Sequence, residues 1–225
     1  MVYKENFIGI KKQLGTQATL VAVSKFKPAE DIQTLYELGE RDFGENFVQE
    51  LLMKYEALPK DIHWHFIGHL QTNKVKYIAP FVWLIHGVDS ERLLNEINKQ
   101  AAKNDRVIDC LLQVHIAQEE SKFGFSADEL KTLLSKLETN KTWTNIRIRG
   151  LMGMASFTEN KEKISDEFKQ LKELFDTTKT SGNVATGAFD TLSMGMSSDY
   201  EIALLQGSTM VRIGSLLFGS RTANG

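Results

Sequence analysis

Residues 191–214, TLSMGMSSDYEIALLQGSTMVRIG, decide how this chain folds. A short apolar run at 191–196 ends in a glycine–serine turn, an amphipathic segment follows at 198–206, and a second apolar run closes the stretch at 209–214. A strand, a helix and a strand in such close succession read as one parallel crossover unit. The same alternation extends upstream through the whole chain. Strand candidates rich in β-branched and aromatic residues lie at 19–24, 41–45, 62–68, 83–89, 108–116 and 146–154. Helical patterns lie at 28–39, 46–58, 72–79, 90–103, 126–138 and 159–179, and an amphipathic segment at 3–14 precedes the first strand. Several strands are apolar nearly throughout, as strands covered on both faces are. Eight such units predict an α/β fold, a single (β/α)8 TIM barrel over residues 1–225 with an extra N-terminal helix. The alternative is an open doubly-wound sheet, but no G-x-G-x-x-G follows the first strand, which weakens its dinucleotide-binding form.

Composition narrows the function classes. The 225 residues are 42% hydrophobic and 25% charged, ordinary for a globular protein. Lys plus Arg number 27 and Asp plus Glu 29, a formal charge of −2, which offers no electrostatic pull toward nucleic acid or an anionic membrane. The lone Cys110 excludes an internal disulfide framework and a multi-cysteine metal site. No apolar run is long enough to span a bilayer, and MVYKENFIGIKKQ does not read as a signal peptide, so the expectation is a cytoplasmic protein. Little surplus apolar surface is evident, which favours a monomer. The three prolines, Pro28, Pro59 and Pro80, sit where elements end or begin.

A barrel places its chemistry at the strand C-terminal ends. Lys25 leaves an apolar strand and is followed by Lys27. Partial desolvation and a neighbouring cation both favour a neutral amine, the form that attacks a carbonyl. The competing reading is a lysine snorkelling at the rim. Only one of Lys25 and Lys27 is expected to face inward. In the seventh unit, Ser197 or Ser198 looks like an N-cap, with Glu201 completing a capping box. Such a terminus binds anions, unless it is simply a capped helix. Arg212 stands in an otherwise apolar strand that ends in Gly214 and Ser215. Its fork either reaches the ligand space or pairs with a barrel acid. The loops after strands seven and eight form the recurrent phosphate site of such barrels, so these two turns support each other. Asn46 could hydrogen-bond a ligand or cap a helix. His63, His65 and His69 lack a completing carboxylate or cysteine at metal-ligand spacing, and Met152, Met154, Met194 and Met196 read as adaptable packing.

Taken together, VAVSKFKP (21–28), FGENFVQE (43–50), WHFIGHLQTNK (64–74), ESKFGF (120–125), GLMGM (150–154), LSMGMSSDYEIAL (192–204) and GSTMVRIGSLLFGSR (207–221) resemble the pyridoxal phosphate homeostasis protein family. That family is similar to the N-terminal barrel domain of alanine racemase. The resemblance implies that pyridoxal 5'-phosphate (PLP) is held as an aldimine on Lys25. It implies a phosphate cradle of Ser197, beside Met196, with Gly214 and Ser215. It also implies Arg212 facing the pyridine nitrogen and Asn46 near the ring. Position 26 is Phe where the family often has Thr, and position 115 is His where Asn is usual.

An arginine can only donate, so it keeps the ring nitrogen unprotonated and weakens the electron sink. A racemase also needs a second acid–base, and in racemases an extra domain supplies it. The chain stops soon after the eighth strand, so the expectation is a non-catalytic PLP buffer or carrier with PLP-dependent apo-enzymes as recipients. A racemase-like enzyme using Tyr200 or His65 is the alternative, and a PLP-free, class I aldolase-type barrel is a third reading.

Overall fold

The computed structural model describes residues 2–117, 123–139, 142–181 and 188–219. Eight strands run in chain order around a closed parallel barrel: β1 Thr19–Val23, β2 Asp42–Glu45, β3 His63–Phe66, β4 Leu84–Val88, β5 Ile108–Gln113, β6 Ile146–Met152, β7 Thr191–Ser193 and β8 Met210–Ile213. Closure is made by β1 on β8, with Val21 opposite Arg212. The helices are α1 Lys4–Leu14, α2 Ala29–Glu37, α3 Val48–Ala57, α4 Val75–Ile78, α5 Glu91–Lys103, α6 Ala127–Thr139, α7 Lys161–Thr180, α8 Tyr200–Leu205 and α9 Ser215–Phe218. The predicted (β/α)8 barrel with its leading helix is therefore the fold. Among the described residues no helix is long and apolar enough to cross a membrane.

Local sequence accounts for the starts of several helices. Ser90 accepts from the Leu93 N–H at the start of α5, and Asn160 accepts from the Lys163 N–H at the start of α7. Ser126 and Glu129 exchange the two bonds of a capping box at α6. The predicted helix at 72–79 is split into a 3-10 turn, Thr72–Lys74, and the short α4. The predicted strand tails at 114–116 and 194–196 fall outside β5 and β7, although Val114, Met194 and Gly195 keep backbone hydrogen bonds to neighbouring strands.

Alternation along the strands builds two cores. Outward residues such as Phe43, Trp64 and Phe66 are buried beneath the helices. Inside the barrel, Val21, Leu84, Leu111, Met152 and Met210 form a second cluster. On the N-terminal side, Asp109 takes Arg147 at 2.7 Å and Arg149 at 2.9 Å, and Arg149 reaches Asp190 at 2.8 Å. The ladder between β5 and β6 slips where Cys110 faces Ile148 and Leu111 faces Gly150. That slip brings Gly150 so close to β7 that a β-carbon would lie 1.7 Å from the Thr191 carbonyl oxygen. Gly150→Ala is therefore expected to lower the unfolding free energy by about 2–4 kcal/mol in denaturant titration. A loss under about 1 kcal/mol would mean that β6 and β7 can move apart freely.

Candidate functional site

A cavity of about 530 Å³ opens at the C-terminal mouth of the barrel, a volume typical of small-molecule sites. Lys25, Asn46, Met196, Ser197, Arg212, Gly214 and Ser215 all line it. Lys27, Ser198, Ile67, Met154 and Phe157 contribute further wall.

Lys25 follows β1 at a tightly held turn. On one side, the fully buried Ser24 donates to Glu45 Oε1 at 2.5 Å, and its carbonyl accepts from Lys54 Nζ at 2.7 Å. On the other side, the Phe26 N–H donates to Glu50 Oε1 at 2.6 Å. Phe26 has φ of +62°, a left-handed conformation unusual for an aromatic residue, and its ring lies 5.1 Å from that of Phe47. Lys54 binds both Glu45, at 2.7 Å, and Glu50, at 2.6 Å, so one buried ammonium ties the two sides together. The structure corrects the lysine prediction: Lys25 and Lys27 both line the cavity, and alternation gave no ground to separate them, because residues two apart share a face. Lys27 is committed elsewhere, donating to the Phe218 carbonyl at 2.8 Å and more weakly to that of Gly219.

The two glycine–serine turns meet, but not by the predicted cap. Helix α8 starts at Tyr200, Asp199 occupies the N-cap without a side-chain cap bond, and no Ser–Glu201 capping box forms. The Asp199 carboxylate reaches back to accept from the Met196 N–H at 2.6 Å, while the Ser197 hydroxyl accepts from the Gly214 N–H at 3.2 Å. Gly195, at φ +95°, makes this turn possible; a β-carbon there would lie 2.6 Å from that of Ala203. Helix α9, absent from the sequence prediction, begins at Ser215.

Arg212 is buried and forms no ion pair with any described residue, so the barrel-acid alternative does not apply. Its Nη1 donates to the Ser193 carbonyl at 2.8 Å and to Ser193 Oγ at 2.6 Å, and its Nη2 donates to the Gly153 carbonyl at 3.0 Å. Burial pushes its pKa down to about 10, still cationic at neutral pH. Asn46 Oδ1 is buried without a hydrogen-bond partner among the described residues. Such an orphan needs an explanation, and a ligand is one.

Tyr200 and His65 lie off the cavity. Tyr200 donates to Gln13 at 2.9 Å, and His65 lies between His86 and Asp42 inside the barrel. His63 shares Asp42 with His65, whereas His69 bonds Asp89. Among the described residues, no group of three or more His, Cys, Asp or Glu side chains is placed to hold a metal ion. His115 is also off the main cavity, and residues 120–122 of ESKFGF and 220–221 of the last motif lie outside the described residues. Sequence reasoning passed over Glu45, Lys54 and the Asp42–His86–Ser193 group. The available signal was an ionisable residue inside an apolar strand, as in FGE and LIHG.

The geometry defines a barrel with a lysine, an arginine and two fused serine turns around one mouth. The chain matches the family model of the alanine racemase N-terminal domain over residues 3–222. It is 46% identical over 205 residues to the pyridoxal phosphate homeostasis protein of Aquifex aeolicus, covering 91% of this chain and 87% of that one. It is 36% identical over 209 residues to the Escherichia coli protein of the same name, covering 91% and 86%. PipY of Synechococcus elongatus, solved with PLP bound, superposes with a TM-score of 0.85 at 32% identity, covering 96% of this chain and 99% of that one. Alanine racemase from Bartonella henselae shares the fold, with a TM-score of 0.69 at 16% identity over 94% of this chain and 56% of its own. The class is that of the alanine racemase N-terminal domain, and within it the chain belongs to the pyridoxal phosphate homeostasis protein family.

Burial raises the Glu45 carboxyl to about 7, against the pull of Lys54 and Ser24. A carboxyl whose folded value is raised binds its proton more tightly when folded, so its stabilising contribution is lost as pH climbs from about 4.5 to about 7. Glu45→Gln does not titrate. Its melting temperature relative to the parent is therefore expected to rise by more than about 3 °C between pH 5 and pH 8. A pH-independent difference in thermal melts would show that Glu45 is already ionised throughout.

Proposed function

We propose that this protein binds PLP and serves its homeostasis, with Lys25 as the covalent anchor and without amino-acid turnover. The observation that carries this reading is the convergence in one cavity of Lys25, the orphaned Asn46 amide oxygen, the fused serine turns and Arg212. The residues fit the cofactor. When bound, PLP supplies an aldehyde and an electron-withdrawing ring.

Lys25 offers the amine that captures the aldehyde carbon, with water as the leaving molecule. Its turn is held by Ser24 and Phe26, so little entropy is lost in placing it. Ser197, Gly214 and Ser215 form the anion seat. The backbone N–H groups of Ser197 and Ser215 have no acceptor among the described residues and are available to phosphate oxygens. Arg212 has five N–H donors, of which three are used within the protein. A donor-only partner at the ring nitrogen leaves it unprotonated, which disfavours carbanion chemistry.

The absence of turnover is supported by the cavity wall. Its titratable side chains among the described residues are Lys25, Lys27 and Arg212, and Lys27 is tied to the end of α9. Among the described residues, the wall offers no second acid–base of the kind that racemisation requires. The names of the relatives point the same way.

Added PLP is expected to produce a visible absorption band that borohydride bleaches, and Lys25→Ala is expected to lose it. No band in the parent protein would end the PLP reading. Incubated with PLP and alanine, the protein is expected to racemise far below 1 s⁻¹, a rate at the low end for enzymes. Turnover near or above that rate would make it an enzyme.

A further inference from the structure

A single file of hydrogen bonds crosses the inside of the barrel from the N-terminal side to the cavity. Asp42, the first residue of β2, accepts from His65 Nε2 at 3.0 Å. His65 Nδ1 lies 2.9 Å from His86 Nε2, and His86 Nδ1 lies 3.2 Å from Ser193 Oγ. Ser193 Oγ receives Arg212 Nη1 at 2.6 Å. His65, His86 and Ser193 are almost completely buried.

Ser193 sets the direction of this file. Its oxygen already accepts from Arg212, and its own hydrogen has one acceptor within reach among the described residues, His86 Nδ1. His86 must then be neutral and carry its proton on Nε2, which it donates to His65 Nδ1. His65 must in turn be neutral and donate from Nε2 to Asp42. The reverse polarity would strand the serine hydrogen in a dry interior, a costly arrangement. The electrostatics agree. Burial, helped by the Arg212 charge, holds His86 well below the ordinary histidine value. Burial alone would raise Asp42, but hydrogen bonds from His65 and His63 outweigh it and keep the carboxylate ionised.

We propose that Asp42, His65, His86 and Ser193 are positioning residues for Arg212: a one-way relay, ending on the Asp42 carboxylate, that orients the guanidinium and leaves its two unused N–H groups for the ring of the bound cofactor. A carboxylate placed directly on Arg212 would have used those donors. The neutral relay orients the guanidinium, while the Asp199 carboxylate acts on its charge without taking up a donor. The inference rests on the PLP reading for its ligand, but not for the direction of the relay.

The test begins with the ligand-free protein, using long-range proton–nitrogen NMR of ¹⁵N-labelled histidine at pH 7. His65 and His86 are expected as neutral Nε2–H tautomers. PLP titration of Ser193→Ala then follows, a substitution that leaves both carbonyl bonds of Arg212 available. The PLP dissociation constant is expected to rise about tenfold and the visible band to shift, while borohydride still fixes the cofactor to Lys25. Asp42→Asn, on the opposite side of the barrel, is expected to change the His65 tautomer and to weaken PLP binding in the same direction. A cationic His86, a proton on its Nδ1, or PLP binding by Ser193→Ala within twofold of the parent would overturn the proposal. Failure of the parent to take up PLP would end the functional reading instead, with the NMR still deciding the relay.

Discussion

Closing eight parallel strands into a barrel leaves room inside for only every second side chain of each strand. The rest of this structure depends on how those few positions are filled. One set, Val21, Leu84, Leu111, Met152 and Met210, is apolar and packs as an ordinary core. The other set is polar and joined end to end, from Asp42 through His65, His86 and Ser193 to Arg212. Buried polar groups are tolerable only when every donor and acceptor is matched. A half-matched interior would be worse than an apolar one, so the polar residues stand or fall together. The same closure points every strand's C-terminal end at one mouth, which is why residues as distant in sequence as Lys25 and Ser215 share a cavity.

A second buried set does for the lysine what the relay does for the arginine. The Lys54 ammonium lies between Glu45 and Glu50 and also reaches the Ser24 carbonyl. Taking such charges out of water is costly, and removing one partner leaves the others uncompensated. What the arrangement provides is a fixed path for three consecutive residues, including a left-handed Phe26 that the local chain would not choose alone. The cavity is thus lined by Lys25 and Arg212, each backed by its own network of buried side chains.

Much of this was legible in the sequence. The alternation of short apolar runs with amphipathic ones shows through because it is a local property of each segment, and the order and direction of strands follow from crossover length. Lys25, Asn46, Ser197, Arg212, Gly214 and Ser215 were visible because they stand where apolar periodicity breaks. The α8 start was misread for a physical reason. The Ser198–x–x–Glu201 spacing suggests a cap one residue too early: Asp199 takes the N-cap, its carboxylate claimed by the Met196 N–H, while the neighbouring Ser197 is drawn to the Gly214 N–H. The capping box forms instead at Ser126 and Glu129, where no distant group intervenes.

By itself, then, the sequence determined the class of fold and singled out residues that the structure brings to one mouth of the barrel, because hydrophobic periodicity and turn chemistry act over a few residues at a time. Only the tertiary structure decided that Lys27 is tied to the end of α9 while Lys25 follows a turn held from both sides, that Arg212 forms no ion pair with any described residue, and that Tyr200 and His65 lie away from the cavity. Those outcomes depend on distances between residues far apart in the chain. They are settled by barrel closure and by the matching of buried donors with acceptors, neither of which any short stretch of sequence encodes.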